Sequence, residues 1–500
     1  MEKILNDFKE YRKVMDRYAE AVEMITWDIQ TGAPKESIDH KIDTMGFFSG
    51  EIFRMSTADV YGEYLKELSK PENFEKLDQA MKLTVKRESR DYVRFRRVPA
   101  DFYEEYTKTC AKSEQAWEEA KEADDFEIFG PHLDKIINMT KEYVRYMEPD
   151  MDPYEVLLDM YEEGMDSASI EKIFDELKEG LIPLLEKIKA APEPDLSALE
   201  GKYDIAGLKE VQNMLLDYIG FDFNSGATGE SMHPFTTTLC KGDVRVTNSY
   251  DETNPLDSMF SAIHEGGHAI FEQNIGNEYE GTAAAVVNMM GLHESQSRFF
   301  ENILGRNINF WKPVYSRLAE ILPQFKNIDM DTFEKAVNYV KPGFIRTQAD
   351  EVTYCMHIIL RFEMEKAIFR DNVKTEELPT LWKEKHFELL GVMPPDDGKG
   401  ILQDMHWSDG SFGYFPSYLL GSVYDGMFLD ALREQMGDVD EILAEGRIRD
   451  ITKWLNDNIH HYGSLYNSKE VLERVCGKEV SAEPLLRYFR EKYERIYKLK

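Results

Sequence analysis

SAIHEGGHAIFEQ, residues 261–273, is the segment from which the architecture and the chemistry of this chain can both be inferred. Its apolar positions recur at helical spacing, and residues four apart on a helix lie one turn above each other. His264 and His268 can therefore direct two imidazoles at a single metal ion. Glu265 lies beside them, where it can activate a water molecule at that metal. Two histidines with one further protein ligand are typical of a catalytic zinc site, which keeps one coordination position open.

The two glycines within this pattern help to distinguish it from a chance match. Such a pattern is expected by chance roughly 0.05 times in a chain with this content of His and acidic residues, and its histidines would then be ordinary helix residues. Gly266 and Gly267 each cost about 1 kcal/mol relative to Ala in a helix interior, which suggests that another backbone or a substrate approaches there. The flanking residues are apolar, so we expect a buried helix, where two unliganded histidines would be costly.

The third metal ligand is predicted in a second helix, within GLHESQSRFFEN at residues 291–302. Glu294 follows His268 by 26 residues, which allows the first helix to end near Gly276 and a second helix to return antiparallel to it. A lone glutamate is more often a solvated helix charge. Here a histidine precedes it and two phenylalanines follow, so a plainly exposed face is not indicated.

Six short patterns occur in one order between residues 233 and 407. They are HPF (233–235), DVRVT (243–247), HEGGHAIFEQ (264–273), HESQSR (293–298), IRTQAD (345–350) and GILQDMHW (400–407). In these motifs the chain resembles the M32 family of metallocarboxypeptidases, the thermostable-carboxypeptidase type, and its length also fits. Thermolysin-like enzymes place an Asp four residues after the Glu ligand to orient a ligand histidine. Arg298 stands at that position here, so the sequence leaves this partner unidentified.

The fold class that we predict is mainly α, of the gluzincin, HEXXH type. Helical spacing extends through residues 1–190, and the resemblance implies an elongated helical body with a deep active-site groove and a small β-sheet beside the metal site. HPFTTTLCKGDVRVTNSY, residues 233–250, predicts a β-hairpin that turns at Lys241-Gly242. This sheet is either purely structural, or its edge strand pairs with the backbone of an extended peptide.

No linker or repeat divides the chain, so we expect a single metallopeptidase domain over residues 1–500. A helical N-terminal part would occupy residues 1–200, and the metal and substrate site would lie within residues 230–425.

Residues that stabilise the oxyanion are sought in the segment after GILQDMHW. Gluzincin peptidases with helical folds use a His and a Tyr from such a segment, which favours His406 and, twelve residues later, Tyr418. Tyr414 is a candidate substrate contact. Core packing is the alternative for all of these aromatic residues.

A carboxypeptidase also needs a cation for the terminal carboxylate of its substrate. Arginine suits this role because its guanidinium binds a carboxylate through two parallel hydrogen bonds. Arg346 is the first candidate and Arg245 the second. Either could instead form a structural ion pair, with Asp350 or Asp243 respectively.

Together these residues predict a zinc-dependent metallocarboxypeptidase of broad specificity. His264, His268 and Glu294 are the predicted ligands of Zn²⁺, which Co²⁺ could replace because this ligand set discriminates weakly between the two. Glu265 is the predicted general base. An endo-oligopeptidase that uses the same site is the alternative enzyme. A non-catalytic metal-binding or peptide-binding protein is the third interpretation, although such a protein would be expected to have lost Glu265.

Composition excludes several classes of partner. The net charge of −34 argues against nucleic acid and anionic membranes, both of which favour basic surfaces. Four widely spaced cysteines suggest neither a disulfide framework nor a cysteine-bound metal. The charged N-terminus is not a signal peptide, and no apolar run is long enough to span a membrane. We therefore expect a cytoplasmic protein. The resemblance to the M32 family implies peptide substrates with a free C-terminus, and we further expect a homodimer.

Overall fold

The computed structural model of this chain describes residues 1–499 as a mainly helical protein with one three-stranded sheet. The N-terminal helices are α1 (Glu2–Thr31), α2 (Ile38–Ser56), α3 (Asp59–Leu68), α4 (Pro71–Phe74), α5 (Gln79–Arg97), α6 (Ala100–Ala123), α7 (Phe126–Met147), α8 (Pro153–Tyr161), α9 (Ser167–Lys189) and α10 (Ile205–Ile219). The middle of the chain forms β1 (Gly226–Glu230), β2 (Thr236–Cys240), β3 (Asp243–Asn248), α11 (Pro255–Asn274), α12 (Met290–Arg298), α13 (Ile308–Trp311), α14 (Tyr315–Ile321), α15 (Met330–Val337), α16 (Glu351–Phe369) and α17 (Leu378–Leu390). The remaining helices are α18 (Phe415–Met436), α19 (Val439–Ala444), α20 (Ile448–Asn458), α21 (Ser468–Cys476) and α22 (Glu483–Ile496).

Many of these helices begin directly after an aspartate. The carboxylate of such a residue accepts a hydrogen bond from a first-turn N–H that has no partner within the helix, a contact worth about 1 kcal/mol. It also lies at the positive end of the helix dipole. The capping aspartates are Asp78, Asp125, Asp152, Asp166, Asp204, Asp329, Asp350 and Asp438. Part of the large negative charge of the chain therefore has a structural role.

The sheet has the order β1-β3-β2, so β2 is an edge strand. β2 and β3 pair antiparallel, as the hairpin prediction requires, and Gly242 in the turn between them has a φ of +91°, which favours glycine. β1 pairs parallel to β3 and was not predicted. Its sequence, GATGE, contains two glycines and no large apolar residue, so it lacks the alternation that indicates a strand.

Helix α12 lies between α11 and α18, and glycines allow both close approaches. A Cβ on Gly267 of α11 would lie 2.7 Å from the Gln296 carbonyl oxygen and from Ser297 Cα. A Cβ on Gly421 of α18 would lie 2.9 Å from the Ser295 N on the other side of α12. The glycines in the histidine pattern were predicted to mark the approach of a backbone or a substrate, and at Gly267 a backbone is found.

Among the described residues, the apolar interior divides into one large core, a small core near the N-terminus and a minor cluster of Ala80, Ala284 and Leu465. The large core extends from α6 to α22 and surrounds α11, α12, α16 and α18. The small core contains Phe8, Tyr61, Leu65 and Val85. Within residues 1–499, no helix is both long enough and apolar enough to cross a membrane. The prediction of a mainly α fold with a small sheet is confirmed.

Candidate metal centre and catalytic cluster

Three potential metal ligands meet between α11 and α12. His264 and His268 lie on successive turns of α11 with their ring centroids 5.0 Å apart, and Glu294 approaches them from α12. Glu294 Oε2 is 3.7 Å from His264 Nε2 and 3.5 Å from His268 Nε2. One ligand atom from each residue lies within 4.8 Å of the other two. The structure therefore brings together the three residues that the sequence singled out.

The spacing of these atoms fits a shared tetrahedral ion. Ligand atoms about 2.0–2.2 Å from zinc lie roughly 3.4 Å apart in a tetrahedral site, which is close to both histidine–carboxylate distances. Both Nε2 atoms face the same oxygen of Glu294 at or beyond the limit of a hydrogen bond. A divalent cation between them would satisfy all three ligand atoms.

Glu301 is a functional candidate that the sequence reasoning missed. Its Oε2 lies 2.9 Å from His264 Nδ1, so the carboxylate fixes the ring and leaves Nε2 directed at Glu294. A carboxylate on the second nitrogen of a ligand histidine typically orients the ring and raises its basicity. Helix α12 continues into a π-helical segment, Phe299–Gly305, which carries Glu301. The signal available in the sequence was an acidic residue seven positions after Glu294, about two helical turns away.

Arg298 contacts the other side of Glu294. Its Nη1 lies 3.8 Å from Glu294 Oε1, while its Nε donates to Ser422 and its guanidinium lies 4.0 Å from the Tyr354 ring centroid. Arg298, at the thermolysin-like orienting position, thus contacts the candidate carboxylate ligand Glu294, whereas Glu301 contacts the His264 ring.

The charges around His264 favour a cation. Burial lowers the pKa of His264, but the negative charges of Glu294 and Glu301 outweigh this effect and raise it to about 9. Burial, together with the neighbouring His293, lowers the pKa of His268 to about 3. His268 is therefore neutral near pH 7, with a nitrogen lone pair available for a metal.

Glu265 is buried next to the ligands and is held by the sheet. Thr236 Oγ1, on the edge strand β2, donates to Glu265 Oε2 at 2.6 Å and lies 3.0 Å from the Glu265 carbonyl oxygen. Burial raises the pKa of Glu265 above its usual range. A more basic carboxylate accepts a proton from water more readily, which suits a general base.

His406, Tyr414 and Tyr418 form one cluster at the start of α18. The Tyr418 hydroxyl lies 3.2 Å from His406 Nε2, and the His406 ring stacks on Tyr414 with centroids 5.7 Å apart. Burial is the main cause that lowers the pKa of His406 to about 4, so the imidazole is neutral near pH 7. Burial also raises the pKa of Tyr418 well above its usual value, which keeps the hydroxyl protonated and able to donate.

Arg346 joins this cluster through its guanidinium, which lies 5.1 Å from the Tyr418 ring centroid. Its Nε and Nη2 each lie 2.9 Å from Asp404 Oδ1, and Arg361 binds the other oxygen of the same carboxylate. The alternative prediction of an ion pair between Arg346 and Asp350 is wrong, because Asp350 caps α16 and Arg346 pairs with Asp404 instead. Arg346 Nη1 makes only a long contact of 3.4 Å to the Tyr354 hydroxyl.

Arg245 lies on the other face of the sheet. It pairs across the strands with Thr237, whose hydroxyl donates to Glu23 on α1, whereas the preceding Thr236 faces Glu265. Successive residues of a strand point to opposite faces, so Arg245 is on the α1 side. Its guanidinium binds both oxygens of Asp243 and stacks over Trp27. The structure therefore brings Arg346 to the tyrosine cluster and does not bring Arg245 there.

Comparisons with known proteins agree over almost the whole chain. Residues 7–493 match the model of a family described as carboxypeptidase Taq (M32) metallopeptidase. Carboxypeptidase 1 of Bacillus subtilis is 40% identical over 99% of this chain and 98% of its own length. Thermostable carboxypeptidase 1 of Thermus thermophilus is 34% identical over 95% of each chain. The crystal structure of an M32 carboxypeptidase from Deinococcus radiodurans superposes with a TM-score of 0.95, covers 99% of this chain and 100% of that one, and is 28% identical.

Proposed function

The chain belongs to the carboxypeptidase Taq (M32) family of metallopeptidases and is a metallocarboxypeptidase, and on that premise we propose that His264, His268 and Glu294 hold a zinc ion at its catalytic centre. The observation that carries this proposal is the convergence of the two Nε2 atoms and one carboxylate oxygen within 4.8 Å. Cobalt would also suit the site, because two nitrogens and one oxygen discriminate weakly between these ions.

Glu265 is the proposed general base. A divalent ion at this position would polarise the scissile carbonyl and lower the pKa of a water molecule beside it. Glu265 removes a proton from the attacking water and returns it to the leaving amine as the C–N bond breaks. Its raised pKa favours the first transfer, because a more basic carboxylate takes the proton from water more readily.

His406 and Tyr418 are the proposed donors to the developing oxyanion. Both are neutral near pH 7, and they lie 3.2 Å apart, so one substrate oxygen could accept from both. Helix α18, which carries Tyr418, packs along α12, which carries Glu294. Hydrogen-bond donors that are fixed before the reaction stabilise charge that appears only in the transition state.

Recognition of the substrate C-terminus is assigned to Arg346. Asp404 occupies its Nε and Nη2, so Nη1 is the atom left to reach a terminal carboxylate. Tyr414 would contact the substrate side chain from the same cluster. We propose no such role for Arg245, because it lies on the face of the sheet opposite to Glu265, where its Nε and Nη2 are bound by Asp243.

The edge strand β2 is the proposed binding surface for the peptide backbone. Thr236 lies on this strand, and its side chain donates a hydrogen bond to Glu265. A peptide paired along β2 would therefore pass the candidate catalytic base. We further propose broad specificity, a homodimeric assembly and a cytoplasmic location.

Digestion of one peptide in two forms tests this function. The peptide with a free C-terminus should lose single residues stepwise, visible as a ladder by mass spectrometry. The same peptide amidated at its C-terminus should be cut far more slowly. Internal cleavage, or equal rates on both forms, would favour the endo-oligopeptidase.

A further inference from the structure

The loop between α17 and α18 contains a segment, residues 406–414, that is anchored near both of its ends to a single buried side chain. The loop follows α17, and within it Trp407 comes directly after His406 while Gly413 comes directly before Tyr414. Trp407 Nε1 donates to Glu365 Oε1 at 3.0 Å, and the Gly413 N–H donates to Glu365 Oε2 at 3.0 Å. The two anchored residues are thus the immediate neighbours of His406 and Tyr414.

Glu365 lies on α16 and is fully buried. Its third partner is the Tyr154 hydroxyl on α8, which donates to Oε2 at 2.9 Å. Burial raises the pKa of Glu365 to about 7, and the hydrogen bonds from Trp407, Tyr154 and Gly413 act against that increase. A buried carboxylate is costly unless its oxygens accept hydrogen bonds, and two of the three available donors belong to this loop.

We propose that Glu365 is a positioning residue that clamps both ends of the segment 406–414 and so fixes the side chains of His406 and Tyr414 relative to α18; this inference rests on the proposed oxyanion-donor and substrate roles of this cluster. Glu365 itself acts only through the loop and contacts no substrate.

The geometry of the loop favours this role over general support of the core. Gly413 has a φ of +85°, and a Cβ at this position would lie 2.8 Å from the Leu157 carbonyl carbon, so the loop end is pressed against α8. The His406 ring stacks on Tyr414, which lies at the end of the loop, and its Nε2 contacts the hydroxyl of Tyr418, which lies on α18. Release of either end would let the imidazole move relative to α18. A displacement of about 1 Å in a catalytic group can reduce a rate by about 10²-fold.

The decisive variant is Glu365→Gln, because an amide cannot accept hydrogen bonds from both Trp407 Nε1–H and the Gly413 N–H. Trp407 Nε1–H and the Gly413 N–H are donors only. Whichever way the amide is turned, its NH₂ group faces one of them and that end is released. Tyr154→Phe is the matched control, since it removes the third hydrogen bond from the same carboxylate and leaves both loop contacts in place.

Metal content, kcat and amide hydrogen exchange together distinguish a positioning role of Glu365 from a general contribution to folding stability. We expect Glu365→Gln to keep its metal, to lose kcat by about 10-fold or more, and to exchange amide hydrogens faster across residues 404–414. Tyr154→Phe should leave kcat and exchange in that segment close to the parent. In a His406→Ala background, Glu365→Gln should lower kcat by a smaller factor than it does in the parent, because one of the two groups that it positions is already absent.

Unchanged exchange across residues 404–414 would overturn the proposal, as would an equal loss of kcat in Tyr154→Phe. If His406→Ala and Tyr418→Phe retained full kcat, the proposed donor roles would fail, whereas faster exchange in Glu365→Gln would still show that the loop is clamped. If Glu365→Gln does not fold, Trp407→Phe releases one end alone. The same drop in kcat and faster exchange are then expected, and their absence would overturn the proposal.

Discussion

Replacement by alanine should destabilise the protein at Gly267 and have much less effect at the adjacent Gly266. A Cβ on Gly266 would lie 2.6 Å from Ile219 Cδ1 and 2.8 Å from Leu216 Cδ2, which are the ends of flexible side chains. A Cβ on Gly267 would instead lie 2.7 Å from backbone atoms of Gln296 and Ser297 in α12. Side-chain ends can rotate away, whereas the α12 backbone can yield only by moving the helix that carries Glu294.

The expected magnitudes follow from two opposing effects. Alanine in place of glycine stabilises a helix interior by about 1 kcal/mol, and this gain applies to both positions. Overpacking costs roughly 1–3 kcal/mol. For Gly267 we expect an overpacking cost in the upper part of that range, because α12 would have to move away by about 0.7 Å to restore ordinary contact at 3.4 Å. We therefore expect Gly267→Ala to lose about 2 kcal/mol of stability and Gly266→Ala to remain within about 1 kcal/mol of the parent.

Melting temperatures with and without metal, and metal affinity by competition with a chelator, would measure both effects. Gly267→Ala should melt lower and bind metal more weakly, because its clash displaces Glu294 from the histidines. Gly266→Ala serves as the control, since it alters the same helix without touching α12. Equal losses in the two variants would show that the motif glycines serve helix flexibility rather than the approach of α12.

Four further outcomes are expected. Glu301→Gln should bind metal about 10–100-fold more weakly while folding normally, as measured by chelator competition and a melting curve; unchanged affinity would remove Glu301 from the centre. Glu265→Gln should retain metal by elemental analysis and lose activity by about 10²–10⁴-fold or more, and loss of the metal as well would assign it a different role. Tyr418→Phe should lower kcat by about 10²–10³-fold with little change in KM, and a change confined to KM would point to substrate binding. Arg346→Ala should lower kcat/KM roughly 10²-fold on peptides with a free carboxylate and have little effect on amidated peptides; equal losses on both would indicate a purely structural ion pair with Asp404.

The residues that could be predicted from sequence are those whose roles depend on local spacing. His264 and His268 need only one helix, and the hairpin at Lys241-Gly242 needs only alternation and a turn. Glu294 was predicted as an acidic residue on a returning second helix, but the other partners that depend on tertiary contact could not be found from local spacing. Asp404 is 58 residues from Arg346, and its role as partner arises because the loop after α17 folds back onto α16. β1 has no strand pattern of its own and forms only because β3 offers it a partner.

Glu301 shows why a tertiary contact is hard to infer from sequence even when the two residues are close along the chain. An α-helix would carry it two turns beyond Glu294, but the π-helical segment changes the angular position of each side chain. The contact between Glu301 and His264 therefore depends on the π-helical segment, which hydrophobic periodicity does not reveal.

The two halves of the candidate site are connected through buried side chains rather than through flexible loops. Arg298 contacts Glu294 and stacks on Tyr354, and the Tyr354 hydroxyl contacts Arg346, which stacks on Tyr418. This chain of contacts runs from the candidate metal ligand Glu294 to the proposed oxyanion donor Tyr418. Its members lie on α12, α16 and α18, apart from Arg346, which lies in a 3₁₀ turn before α16. Catalytic groups are held most accurately when they lie on packed helices whose side chains fix one another. His406 lies in a loop rather than on a helix, so its position depends on contacts with neighbouring helices, and the buried Glu365 of α16 supplies two of these contacts through Trp407 and Gly413.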